Sequence, residues 1–276
     1  QTFFCFQCYI FCGDSIHFRI QYENITYKEA IEKFAGEMGL KKYDQKEIDW
    51  ISLRESACEY MKETLFSSQT KYHFRGESIT PLAYLTDFRK HSIKSVLNFR
   101  IGFNNGKLIE FLESKFSKDV VKASGLGIIP EGCFAYPFLV GGEIKYFRIK
   151  DPNKIKKFQM PLVNRSKSAI FYNQDVLQED KEVWLCEGED DVVSLWDCDV
   201  NAIATCGGLT MEQIAFLKTK NPSVVYSAFD DDPAGKKNTE TLTRNLQIEN
   251  LLSSMYPTQK MLTKLSVNLK AKINPS

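Results

Sequence analysis

The chain has 276 residues, so one large domain or two to three small ones are expected. With 43% hydrophobic and 26% charged residues, its composition excludes a disordered chain, a collagen-like repeat and a coiled-coil rod. Lys and Arg (36) balance Asp and Glu (35), so net charge gives no pull toward nucleic acid and any such site must be local.

No run approaches the ~18 apolar residues of a membrane helix, and no charged start leads into an apolar targeting segment. A cytoplasmic protein with no membrane partner is expected. The first residue is Gln1, as in a processed or partial chain. Eight cysteines are scattered without a dense framework, which fits a reducing compartment. His17, His73 and His91 lie far apart in sequence, leaving little for a His-rich metal site or a His-dependent triad.

The N-terminal stretch carries Cys5-Phe6-Gln7-Cys8 on apolar, strand-prone flanks. That spacing suits one knuckle of a zinc ribbon, and equally two reduced cysteines buried on a strand. Tetrahedral zinc needs four ligands, and only one complete pair is visible. Thr26 can cap a helix through Ala30, Ile31, Phe34 and Ala35, with Gly39 closing it. A second helix is expected from about Glu47 to Phe66, packing through Ile51, Leu53, Ala57, Tyr60 and Leu65. Shorter helices are expected from Thr80-Pro81 to Phe88 and from His91 through Val96.

From about Gly125 the pattern turns to strands. Cys133–Leu139 and Ile144–Ile149 flank Gly141-Gly142, a hairpin signal. Arg148 and Lys150 share a face by the two-residue period, and Lys154, Lys156 and Lys157 follow. A charge run of this kind is usually a solvated surface.

Beyond Glu182 strands and helices alternate. Val183–Cys186, Ala202–Cys206 and Val224–Phe229 read as strands, each followed by a helix, with Thr210 capping the middle one. Such alternation implies crossover units and a mainly parallel sheet, with ligands gathering at the carboxyl ends of its strands. Glu187 stands at one such end and Asp230 and Asp232 at another. Asp191, one turn into its helix, can face back toward Glu187. Converging carboxylates repel unless a divalent cation neutralises them, and a hard oxygen cage suits Mg²⁺ or Mn²⁺. The bland alternative is acidic residues favoured at helix N-termini by the helix dipole. A calcium loop starting at Asp230 fails, because its twelfth position is Thr241 rather than Glu.

Taken in order, these motifs resemble the DnaG-type primases of bacteria and phages. Val183-Trp184-Leu185-Cys186-Glu187-Gly188 with Asp191 is similar to the first acidic motif of a TOPRIM domain, and Asp230-Asp231-Asp232-Pro233-Ala234-Gly235 to its D-x-D-x-A-G motif. Ala204-Thr205-Cys206-Gly207-Gly208 resembles the turn between them. Upstream, Cys5-x-x-Cys8 with Gly13-Asp14 and Phe18 is similar to the second zinc knuckle, Phe99–Phe103 to the F-x-I-G segment, and Tyr136-Pro137-Phe138, Gly142 and Arg148 to the hairpin. Lys157-Phe158 and Phe171-Tyr172-Asn173 resemble two further marks of the family.

The resemblance implies an α/β, overall α+β, architecture: a Rossmann-like TOPRIM sheet flanked by helices, preceded by a mixed α+β basic subdomain and a partial zinc ribbon. The expected boundaries are 1–40 (partial zinc knuckle and helix), 41–75 (helical linker), 76–180 (N-terminal subdomain), 181–250 (TOPRIM) and 251–276 (atypical tail). It implies an enzyme that makes short RNA primers from ribonucleoside triphosphates on single-stranded DNA, alongside a replicative helicase. Glu187, Asp230 and Asp232 would hold Mg²⁺ or Mn²⁺ with Asp191 in support, and Cys5 and Cys8 would belong to a Zn²⁺ site. Arg148, Lys150, Lys156 and Lys157 would face template or nucleotide phosphates across a cleft from the acids.

Three departures stand out. The first zinc-ligand pair has no counterpart, Cys133 stands where the hairpin carries Arg, and no Asp follows Asp232 where a third acidic motif belongs. The alternative reading is therefore a catalytically impaired module that binds single-stranded DNA or a helicase.

Overall fold

The computed structural model describes residues 2–4, 12–38, 45–69, 71–74, 77–153, 158–159, 170–246 and 251–253. In chain order the first elements are β1 (Thr2–Phe4), β2 (Cys12–Asp14), α1 (Ser15–Glu23), α2 (Tyr27–Glu37) and α3 (Gln45–Ser67). Next come β3 (Tyr72–Phe74), β4 (Glu77–Ile79), α4 (Pro81–Ala83), a π-helical turn (Tyr84–Phe88), α5 (Ile93–Asn98) and β5 (Gly102–Phe103). α6 (Leu108–Glu113), α7 (Lys118–Ser124), β6 (Phe134–Val140), β7 (Glu143–Lys150) and β8 (Phe158–Gln159) follow. The last third is β9 (Glu182–Cys186), α8 (Glu189–Trp196), β10 (Ala202–Ala204), α9 (Met211–Lys220), β11 (Val224–Ala228), α10 (Pro233–Leu246) and β12 (Leu251–Ser253). Among the described residues no helix is long and apolar enough to cross a membrane.

Two compact units emerge. The first holds residues 1–82, 97–137 and 142–161; the second holds 83–96, 138–141 and 162–276. The stretch 83–96, which the sequence groups with the N-terminal subdomain, is thus part of the later unit.

In the first unit α3 is the organising element. It packs against α2, β5, α6 and β7 and buries Ile51, Leu53, Ala57, Met61 and Leu65. Each fully buried aliphatic side chain contributes roughly 1.5–3 kcal/mol. Tyr60, expected on the packing side, is half-buried and stacks on Phe111 at 4.3 Å between centroids. Gly102 lets β5 approach α3, since a β-carbon there would lie 2.5 Å from the Met61 β-carbon. Thr26 caps α2 through a reciprocal pair, its hydroxyl accepting from Glu29 N–H while the Glu29 carboxylate accepts from Thr26 N–H at 2.7 Å. The closing Gly39 lies outside the described residues. The sheet order is β5-β6-β7-β8, and the turn between β6 and β7 places Gly141 and Gly142 at φ 61° and 77°, the left-handed region glycine tolerates.

The second unit is built on a parallel sheet of order β10-β9-β11-β12. Val183, Leu185 and Val225 point to one face, where Ile214, Leu217, Leu242 and Leu246 of α9 and α10 complete the core. Trp184 and Tyr226 are register partners on the opposite face, stacked at 5.0 Å. Thr210 caps α9 with Gln213 reciprocating. The strand–helix alternation read from the sequence is present, with β10 ending at Ala204 rather than Cys206.

Candidate active site at the parallel-sheet rim

β9, β10 and β11 end side by side: Cys186 pairs in register with Ala204 and with Ala228. The residues that follow therefore leave from one rim, Glu187 after β9 and Phe229-Asp230 after β11. The loop after β10 fastens this edge. Thr205 N–H donates to the Cys186 carbonyl at 3.1 Å and Cys206 N–H to the Glu187 carbonyl at 2.9 Å. Cys206 makes the second bond in a left-handed φ of 56°, two residues past the end of β10.

Gly188 caps α8, and the Asp191 carboxylate turns back to accept its N–H at 3.1 Å. The acids Glu189, Asp190 and Asp191 fill the first turn, where the helix dipole favours negative charge. They are not equivalent. Glu189 is fully buried, Asp190 is engaged by Arg89 and His91, and Glu187 and Asp191 are half-buried at the rim.

After β11, Phe229 is buried while Asp230, Asp231 and Asp232 are exposed. Asp232 caps α10, accepting from Gly235 N–H at 2.8 Å through its carboxylate and from Lys236 N–H at 3.0 Å through its carbonyl. Pro233 takes the first helical position, where its missing N–H costs nothing. Asp231 pairs with Lys236 at 2.9 Å in solvent, an interaction worth little. Among the described residues no cation pairs with Asp230 or Asp232.

Cys186 closes β9 just before the first acidic motif and stands opposite Ala228, just before the second. Its buried thiol is pushed well above the usual range, first by burial, then by the negative charges of Asp191 and Asp230. One sulfur thus feels a carboxylate from each motif. Glu187, Asp191, Asp230 and Asp232 follow neighbouring strand ends of this rim, but among the described residues their ligand atoms do not gather within 4.8 Å of one another as a ready-made cage. By donor chemistry alone, such carboxylate oxygens are of the kind that a hard divalent ion such as Mg²⁺ or Mn²⁺ takes.

The sequence-expected cations belong to the first unit. Arg148 is only 8% exposed, so it is not the solvated surface charge that its neighbourhood suggests. Lys150 is half-buried, with its ammonium 4.4 Å from the centroid of the Tyr136 ring. Lys156, Lys157, Cys5 and Cys8 lie outside the described residues. Cys133, at the hairpin's Arg position, is buried.

Sequence reasoning passed over a second cluster, in which ligand atoms of His17, Glu55 and Glu59 lie within 4.8 Å of one another. Arg100 already bonds both carboxylates and Lys62 pairs with Glu59. These cations occupy the space and balance the charge that a metal would need, so the cluster is an ion-pair network.

A family model described as Toprim-like matches residues 184–262. A DNA primase of Helicobacter pylori strain J99 is 25% identical across 85% of this chain and 44% of its own length. The chain spans about half the length, or less, of the curated relatives it matches. The zinc-binding and RNA polymerase domains of Aquifex aeolicus primase align with a TM-score of 0.70 at 19% identity, covering 98% of this chain and 73% of that one. A DnaG primase catalytic domain solved with bound single-stranded DNA aligns at 0.61 and 15% identity, covering 83% and 82%. The chain has the DnaG primase fold with a TOPRIM domain, and resembles DnaG-type primases in sequence.

Proposed function

We propose that this chain makes short RNA primers from ribonucleoside triphosphates on single-stranded DNA. The observation that carries the reading is that β9 and β11 end in register, Cys186 opposite Ala228, so that the two acidic motifs follow neighbouring strand ends. Glu187, Asp230 and Asp232 would hold Mg²⁺ or Mn²⁺, and Asp191 would support them while fixing the turn at Gly188. When bound, the ion stabilises the negative charge that develops on the transferred phosphoryl group. Glu187, at the β9 end, would share the ion or take the proton from the attacking 3′-hydroxyl as the new phosphodiester forms and pyrophosphate leaves. Arg148, Lys150, Lys156 and Lys157 would hold template or nucleotide phosphates, since cations fix the backbone without reading sequence. The aligned DnaG domain with bound single-stranded DNA supports that partner. Zn²⁺ on Cys5 and Cys8 needs two further ligands, and a replicative helicase would be the protein partner.

The test uses single-stranded template, labelled ribonucleoside triphosphates and Mg²⁺ or Mn²⁺. Metal-dependent oligoribonucleotides are expected, reduced roughly 10²-fold or more in Asp230→Ala/Asp232→Ala. One rival is a module that binds DNA without synthesis, since among the described residues these carboxylates are not already gathered within 4.8 Å of one another. Retention of DNA with no product under either ion would establish that rival instead.

A further inference from the structure

Residues 83–96 are remote from α8 in sequence yet belong to the same unit. His91 N–H donates to the Leu85 carbonyl at 3.0 Å, and Lys90 between Arg89 and His91 has a left-handed φ of 63°. This bend brings two side chains onto the first turn of α8. The Arg89 guanidinium donates to Asp190 Oδ2, and His91 Nε2 lies 3.3 Å from Asp190 Oδ1. The His91 side chain is 1% exposed.

The other end of α8 is tied by the same segment. Asp197 accepts from Ser92 N–H at 3.0 Å and from the Ser95 hydroxyl at 3.0 Å, and it also bonds the Ser92 hydroxyl. Lys94 sits 5.3 Å from the Trp196 ring centroid. A carboxylate at the C-terminal end of its own helix is disfavoured by the macrodipole, so Asp197 owes its place to these donors. Residues 89–95 therefore span α8 from end to end.

The two ties differ in what they adjoin. Asp197 is far along the helix from the rim. Asp190 is next in chain to Asp191, which holds the Gly188 turn at the end of β9, the strand paired with β11 ahead of Asp230. Any rotation of this first turn moves Asp191 and Glu187 relative to Asp230. Arg89 also balances the charge of Asp190, which leaves that carboxylate to orient the turn rather than join the ion's ligands.

We propose that Asp190 is a positioning residue: clasped by Arg89 and His91, it fixes the first turn of α8 so that Glu187 and Asp191 are aligned with Asp230 before a divalent ion arrives. The proposal rests on the reading that these carboxylates bind Mg²⁺ or Mn²⁺. Removing partners that orient metal ligands typically weakens metal affinity 10–100-fold.

The full chain is titrated with Mn²⁺ and the free ion followed by its electron paramagnetic resonance signal, a readout that needs no turnover. Asp190→Asn/Arg89→Gln leaves net charge unchanged and is expected to weaken Mn²⁺ binding about tenfold or more. Asp197→Asn cuts the other tie; it should lower the unfolding midpoint and leave Mn²⁺ affinity within about twofold of the parent. Wild-type affinity in the charge-neutral pair, or equal weakening by Asp197→Asn, would overturn the positioning role. If the pair does not fold, Arg89→Lys keeps the charge but loses the fork; roughly threefold weaker binding is then expected, and unchanged affinity counts against the idea. A parent chain whose Mn²⁺ uptake is unaffected by Asp230→Ala/Asp232→Ala would instead remove the ion site itself, and the positioning role with it.

Discussion

A β-carbon on Gly235 would sit 2.0 Å from the carbonyl oxygen of Asp230 and 3.0 Å from its nitrogen. No rotamer relieves a clash with backbone, so the turn that presents Asp230 and Asp232 closes only around glycine. Gly235→Ala is expected to cost about 1–3 kcal/mol in urea unfolding and to weaken Mn²⁺ binding by displacing Asp230. Unchanged stability and affinity would show that the turn opens freely. Part of the Asp-x-Asp-x-Ala-Gly stretch was legible because its reasons are local: Gly235 by its approach to Asp230 and Asp232 by its cap on Gly235 N–H. The Arg89–Asp190 pair was not, because its members are 101 positions apart and Lys90 gives no sign of its left-handed bend. Glu189 was likewise unreadable, a carboxylate in an acidic run that proves fully buried.

At the scale of elements, α3 is secured by charge as well as by packing. Burial alone would raise the Glu55 carboxyl, but the Arg100 guanidinium, aided by His17, pulls it down to about 2. A carboxyl depressed in the folded state stabilises above its unfolded pKa and loses that contribution as pH falls through the folded value. Stability is therefore expected to drop as pH falls from about 4.5 toward about 2. Glu55→Gln should flatten this part of the profile and cost on the order of 3 kcal/mol near neutrality, since Arg100 loses a buried partner. Identical acid profiles for parent and variant, measured as urea midpoints from pH 3 to 7, would refute the assignment. α2, α3, α9 and the β6–β7 hairpin were readable because caps, helical periodicity and paired glycines are local signals. α1 was hidden by the cysteine-rich flank before it. α6 and α7 went unread because they run less than two turns each and their burial rests on Leu108, Leu112 and Val121, too few residues to set a period.

For the whole molecule, the parallel architecture of the second unit followed from strand–helix alternation, whereas its composition did not. Three separate stretches make that unit, and the tie of residues 89–95 to α8 is long-range, beyond any window that reads neighbours. Charge is also a whole-molecule property. At a net charge of +1 the chain has no general attraction for a polyanion, so DNA binding must come from a few placed cations. If Arg148, Lys150, Lys156 and Lys157 each neutralise one phosphate of a single strand, log affinity should fall with log salt at a slope near −3, about −0.7 per contact. Lys156→Ala/Lys157→Ala should then bring the slope to about −1.4 and weaken binding similarly across template sequences, because phosphate contacts carry no base information. Fluorescence anisotropy of a labelled oligonucleotide from 50 to 300 mM salt measures this directly. A slope that the double variant leaves unchanged would place the nucleic-acid contacts elsewhere on the chain, and a loss confined to one template would mean that these lysines stand against bases rather than phosphates.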